Sequence, residues 1–189
     1  ARGKQFLYDE GVHVPLVIRA PYGGGIHGAM YHSQSVEAFF AHVPGLKVVV
    51  PATPYDVKGM IKSAIADPDP VLFFEHKKTY RLIKGDVPDS DYTVPIGKAD
   101  VKRSGSDLTI ITYGLMLHYA LEAAEQIAQE DGLETEVLDL RTVRPLDVDA
   151  ILSSAKKSGK VLIVHEDNIT GGIGGEVAAL IAEHAFEYL

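Results

Sequence analysis

The 189-residue sequence contains no cysteine, which excludes disulfides, thiol nucleophiles and cysteine-ligated metal sites. It is also short of positive charge. Lysine and arginine number 18 against 26 aspartates and glutamates, a formal charge of −8. With no long basic block, that balance argues against nucleic acid as the main partner. No apolar run approaches the roughly 18–20 residues of a membrane-spanning helix, so no membrane partner is expected. There is no initiating methionine, no signal or transit pattern, and no capping glycine or turn after the helix-like run that stops at Leu189. Both ends are therefore expected to be cut, and the lack of a targeting pattern says little. What is present is 46% hydrophobic and 23% charged residues, the composition of a chain that buries a core. The length suits one large domain or two small ones.

Strand-like and helix-like segments alternate from end to end. Residues 14–19 form a β-branched run halted by Pro21, and Ser33 is placed to cap a helix carrying Val36, Phe39 and Phe40. Residues 46–50 read as a buried parallel strand, continuous rather than alternating. Residues 54–66 place Val57, Met60, Ile61, Ala64 and Ile65 at helical spacing behind a first-turn proline. A turn at Asp67, Pro68, Asp69 and Pro70 leads into a strand over 71–75. Periodicity fades over 77–98, a stretch with Gly85, Pro88 and Pro95 that reads as an inter-domain linker. Strands over 108–113, 135–140 and 161–165 then alternate with helices over 115–129, 148–157 and 176–186. Right-handed βαβ crossovers follow, and the fold class is α/β: two three-layer units with mostly parallel sheets.

Ligands of such sheets lie beyond the carboxyl ends of the strands. Residues 21–32, 53–56 and 165–175 fall there. Gly23, Gly25 and Gly28 match a G-x-G-x-x-G spacing, but the following strand ends Val50, Pro51, Ala52, Thr53 without the carboxylate of a dinucleotide site. A tight loop that brings backbone close to a ligand or another subunit is the better reading. His27 and His32 flank the end of this loop and, with no carboxylate beside them, make a poor metal site. The position of His32 at a helix start on the sheet edge favours proton transfer. Residues 171–175 precede a helix opened by Glu176, with Thr170 available as a cap, and a close-packed interface loop is favoured over an anion site. His165, Glu166 and Asp167 read as a solvated or interface cluster. An interaction module and a nucleotide- or flavin-binding module are the alternatives of another class.

The run from Tyr31 through His32, Ser33, Gln34, Ser35, Val36, Glu37, Ala38, Phe39 and Phe40 to His42, with residues 43–51 behind it, resembles a specific family. So do residues 67–75, 137–142, Pro145, Leu146, Asp147, and His165, Glu166, Thr170, Gly171 and Gly172. Together they resemble the beta subunit of the decarboxylating, thiamine diphosphate-dependent component of 2-oxo acid dehydrogenase complexes. The resemblance covers essentially the whole chain and leans toward the branched-chain type; pyruvate and acetoin dehydrogenases are the alternatives.

The resemblance implies the later part of a transketolase-like pyrimidine-binding domain over 1–80, a linker over 81–97, and a truncated transketolase C-terminal-like domain over 98–189. It implies thiamine diphosphate with magnesium, the metal held mainly by an alpha subunit in an α2β2 heterotetramer, and a lipoyl-bearing acyltransferase core as the further partner. It places the pyrimidine-contacting glutamate upstream of Ala1 and matches His32 to the histidine that serves proton transfer in the lipoyl step. A structural potassium ion is implied at Leu16, Ala64, Asp67 and Asp69, although Val17 and Asp69 stand where threonine and asparagine are usual. The implied location is the cytoplasm in a bacterium, or the mitochondrial matrix in a eukaryote.

Overall fold

A computed structural model describes residues 13–189, so the polar start of the chain, residues 1–5, lies outside the described residues. Two four-stranded sheets carry the fold. In the first, β1 (Val17–Tyr22) and β2 (Lys47–Val49) both run parallel to β3 (Val71–His76), which lies between them. In the second, β5 (Leu108–Thr112) lies between β6 (Thr135–Asp139) and β8 (Val161–Val164), parallel to both, with β4 (Asp100–Arg103) antiparallel on the far side of β6. A short strand, β7 (Thr142–Arg144), leaves the second unit and pairs antiparallel with β2 of the first sheet. Each sheet is thus mostly parallel with one antiparallel edge strand, as the sequence pattern implies.

The helices fill the layers. The longer ones are α2 (Pro54–Ala66), α4 (Met116–Asp131), α5 (Val148–Ser158) and α6 (Ile173–His184); α1 (Glu37–Ala41) and α3 (Thr79–Leu82) are single turns. Thr53 starts α2 by accepting the Asp56 N–H on its hydroxyl, with Pro54 in the first turn. Its inner residues Met60 and Ala64 pack on Val49, Val71 and Phe73 of the first sheet. Val94, from the segment between the units, joins that cluster, and Tyr92 stacks on Tyr55 at 4.5 Å. On α4, Leu117, Ala120 and Ala124 cover Ile110 and Val137 on one face of the second sheet.

The remaining sheet faces share one core. Tyr22, Val48, Leu72 and Phe74 of the first unit meet Ile111, Leu138, Ile151, Val177 and Ile181 of the second. Burying a side chain of this size is worth about 1.5–3 kcal/mol, so the shared core joins the units firmly.

Three local expectations change. Ser33 caps no helix: α1 begins only at Glu37, because residue 34 is held by the Gly23 N–H donating to its carbonyl at 2.9 Å. The last long helix starts at Ile173, not Glu176, with Gly172 as N-cap and no capping by Thr170. A Cβ on Gly174 would lie 2.4 Å from His165 Nε2, so the glycine lets the first turn lie on the imidazole. Finally, β1 runs through Pro21 to Tyr22; it is an edge strand of the described sheet, where a missing N–H is tolerated.

Candidate active-site edge

Parallel register brings the site together. Tyr22 of β1 lies beside His76 of β3 at the carboxyl edge of the first sheet, with the rings edge-on at 5.0 Å. In the second sheet Thr112 is level with Val164, so Tyr113 and His165 follow side by side, stacked with centroids 6.2 Å apart. The two edges face each other, and Glu166 joins them. One of its oxygens accepts the Gly24 N–H at 2.6 Å, and the other meets His76 Nε2 at 2.6 Å. His76 Nδ1 accepts the Lys78 N–H at 3.2 Å, so Nε2 carries the proton and donates it to Glu166. Hydrogen bonding to His76 holds the Glu166 carboxyl below its ordinary range, against the opposing effect of burial.

The glycine loop wraps this pair. Gly23 has φ +86°, and a Cβ there would fall 2.0 Å from His76 Nε2, so no other residue fits without displacing the ring. The loop continues through His27 and Ala29, both at positive φ, into a 3-10 turn over Met30–His32. His32 is therefore the last residue of that turn, not the first residue of a helix, and it is exposed. It shares the surface with Tyr31 and Met30, both largely exposed. The loop is the tight, backbone-dense element expected from its glycines, closed on His76 and Glu166. A cleft of about 300 Å³ opens at the same edge of the first sheet, lined by Arg19, Ala52, Pro54, Val57, Glu75 and Tyr80, with His32 outside it. Glu75 there is occupied by Arg19 at 2.7 Å and by the Tyr80 hydroxyl at 2.5 Å.

Behind the edge lie three buried acids. Glu37 is fully buried, with the Tyr113 hydroxyl beside its carboxyl. Burial pushes the Glu37 pKa up to about 7, with Asp167 and Glu166 adding to the rise. Asp56, expected at a functional loop, instead enters an ionic lock between the units. It takes Lys102 at 2.7 Å, Arg141 at 3.0 Å and the Thr53 hydroxyl at 2.6 Å. Burial pushes its pKa up, but those three bonds win and hold it low. Asp139 beside them is pushed up to about 7 by burial, with Lys102 pulling the other way. Arg141, at φ 55°, spans the units through Asp56 and also donates to the carbonyls of Lys98 and Ala99 in its own unit.

Of the residues assigned to potassium, Ala64, Asp67 and Asp69 gather around one turn, and the Leu16 carbonyl accepts the Val71 N–H at 2.8 Å. The cation facing Asp67 is the Lys47 ammonium, 2.7 and 2.6 Å from its two oxygens and 3.5 Å from Asp69. Among the described residues no group of three or more His, Asp or Glu could hold a metal ion. The carboxylates at the edge are likewise engaged or sealed: Glu75 by Arg19 and Tyr80, Glu166 by His76 and Gly24, Glu37 by burial. A thiamine aminopyrimidine would need its carboxylate from other residues. The described residues do not fit the cofactor alone.

His76, Glu37, Arg141 and Asp139 were not singled out from sequence. His76 directly follows the continuous strand over 71–75, at a carboxyl end where ligands gather, and that placement alone could have flagged it. Glu37 sits between apolar Val36 and Phe40, an acid on a core-facing turn.

Sheet order, edge loops and domain pairing define the class. The chain matches the transketolase pyrimidine binding domain over residues 8–83 and the transketolase C-terminal domain over residues 97–189, and it belongs to the transketolase family. Within it, the chain is 65% identical over 170 residues to the 2-oxoisovalerate dehydrogenase subunit beta of Bacillus subtilis, covering 90% of this chain and 52% of that protein. It is 50% identical over 171 residues to the pyruvate dehydrogenase E1 component subunit beta of the same organism, with the same 90% and 52% coverage. A solved split gene transketolase, an inactive beta4 tetramer, aligns with a TM-score of 0.77 at 28% identity, over 92% of this chain and 55% of that one. The chain spans about half the length of the curated relatives it matches. The fold and family expected from the sequence motifs are the ones found.

Proposed function

We propose that the chain is part of the beta subunit of a thiamine diphosphate-dependent 2-oxo acid dehydrogenase of the branched-chain type. The observation that carries this reading is its 65% identity to a 2-oxoisovalerate dehydrogenase subunit beta, against 50% to a pyruvate dehydrogenase counterpart. An alpha subunit is the partner that supplies the magnesium and diphosphate ligands, in an α2β2 assembly, and a lipoyl-bearing acyltransferase core receives the acyl group. The cofactor supplies the carbanion chemistry of decarboxylation; the protein supplies orientation and proton management.

This chain contributes one wall of the site. Its exposed 23–32 loop presents His32, placed to give a proton to the lipoyl sulfur that leaves when the S–S bond breaks and the acyl unit bonds to the other sulfur. An imidazole suits the task because it can both take up and release a proton, and exposure leaves it accessible to a lipoyl arm. Co-purification of the complete subunit with its alpha partner, followed by thiamine diphosphate-dependent release of carbon dioxide from a 2-oxo acid, tests the assignment. No release from any 2-oxo acid by a stable complex removes it.

A further inference from the structure

The loop that ends in His32 is fixed by a residue from the other unit of the fold. Glu166 follows β8, some 140 residues downstream of Gly24, yet its two oxygens divide between the Gly24 N–H and His76, each at 2.6 Å. His76 is 1% exposed, and both of its ring nitrogens are engaged, Nδ1 by the Lys78 N–H and Nε2 by Glu166. It can neither transfer a proton to a substrate nor bind a metal while so held. The glycines seal the arrangement: a Cβ at Gly23 meets His76 at 2.0 Å, and one at Gly24 comes to 3.0 Å from Glu166 Oε1. The Tyr22 carbonyl, accepting the Lys77 N–H at 3.0 Å, closes the base of the loop.

We propose that Glu166 and His76 act together as positioning residues, a carboxylate–imidazole clamp that sets the 23–32 loop and through it the place of His32. The Gly24 amide has a single carboxylate partner, and that carboxylate is oriented by an imidazole whose tautomer is fixed by the backbone. The consequence for proton transfer rests on the function proposed above; the clamp itself does not.

Glu166→Gln keeps the shape and still offers a carbonyl to Gly24, but its amide N–H then faces His76 Nε2–H. Relief requires the other tautomer, which sets Nδ1–H against the Lys78 N–H, so the conflict moves and does not disappear. Pairing it with His76→Gln restores a donor–acceptor match, since two amides can turn to face each other.

The test is imidazole ¹⁵N NMR together with amide hydrogen exchange on the complete subunit. Wild type should show His76 protonated at Nε2 and a protected Gly24 amide. Glu166→Gln should lose that signature and exchange Gly24 roughly tenfold faster or more, and the double variant should recover protection. In the assembled enzyme, Glu166→Gln should lower acyl transfer to lipoyl by about ten- to a hundredfold, while decarboxylation with an artificial electron acceptor persists. A His76 protonated at Nδ1 in wild type, or Gly24 exchange unaffected by Glu166→Gln, overturns the clamp. Intact NMR and exchange results in an enzyme that decarboxylates no 2-oxo acid would support the clamp and defeat the functional reading.

Discussion

Glu37 makes a quantitative link between packing and pH. Its carboxyl is fully buried and lies near the acids Asp167 and Glu166, whose effect together with burial outweighs the opposing hydrogen bonds from backbone and the Tyr113 hydroxyl. These surroundings lift its pKa from 4.5 to about 7, so the folded chain holds the proton more tightly than the unfolded chain. Below the unfolded value both states are protonated and nothing is lost. As pH rises from there toward 7, the unfolded state releases its proton first, and stability falls until the folded carboxyl also ionises. The full displacement is worth on the order of 3 kcal/mol. Glu37→Gln removes the titration while keeping the shape, at a pH-independent cost on the order of 1 kcal/mol for the altered contact with the Tyr113 hydroxyl. Asp139 titrates in the same window, so the informative quantity is the difference between variant and wild type. Urea unfolding at pH 5 and pH 8 should show that difference moving by roughly 2–3 kcal/mol in favour of the variant at the higher pH. A constant difference across the range would refute the buried, protonated carboxyl.

Three further outcomes follow from the geometry. His32→Ala in the complete enzyme should cost ~10²–10⁴-fold in acyl transfer to lipoyl while leaving decarboxylation with an artificial acceptor measurable; unchanged overall activity contradicts the role. Asp56→Ala removes the buried carboxylate that joins the units, leaving Lys102 with Asp100 and Arg141 with the Lys98 and Ala99 carbonyls. It should cost about 1–3 kcal/mol in denaturant unfolding, more than an exposed surface pair would. Lys47→Met should destabilise by roughly 1–3 kcal/mol by leaving Asp67 without its ammonium partner. If Ala64, Asp67 and Asp69 can take potassium, the variant recovers melting temperature in potassium relative to tetramethylammonium at equal ionic strength. Absence of any cation-specific recovery would contradict the potassium site that the family resemblance implies.

The legible parts of the fold are those whose signal is local. Thr53, Pro54 and the spacing of Met60 and Ala64 specify α2 without reference to the rest of the chain, and the apolar run from Val71 specifies β3. Three-residue β7 is different. Thr142, Val143 and Arg144 form a strand only because β2 of the other unit offers them an edge, and no local period encodes that. The same holds for the site. His32 was visible because its loop follows a strand and its neighbours form a recognisable run. The partnership of His76 with Glu166 spans 90 residues, and the lock around Asp56 draws on β4 and on the turn after β6. Neither leaves a trace in spacing. The glycines at 23 to 25 announced a close approach, but not that the group approached would be an imidazole.

The branched-chain assignment is tested most directly by comparing kcat/KM for 3-methyl-2-oxobutanoate and pyruvate in the complete alpha–beta enzyme with its lipoyl acceptor. The expected result is a preference for the branched substrate of at least about tenfold, the scale at which an apolar pocket discriminates added methyl groups. Equal or greater efficiency with pyruvate would contradict it.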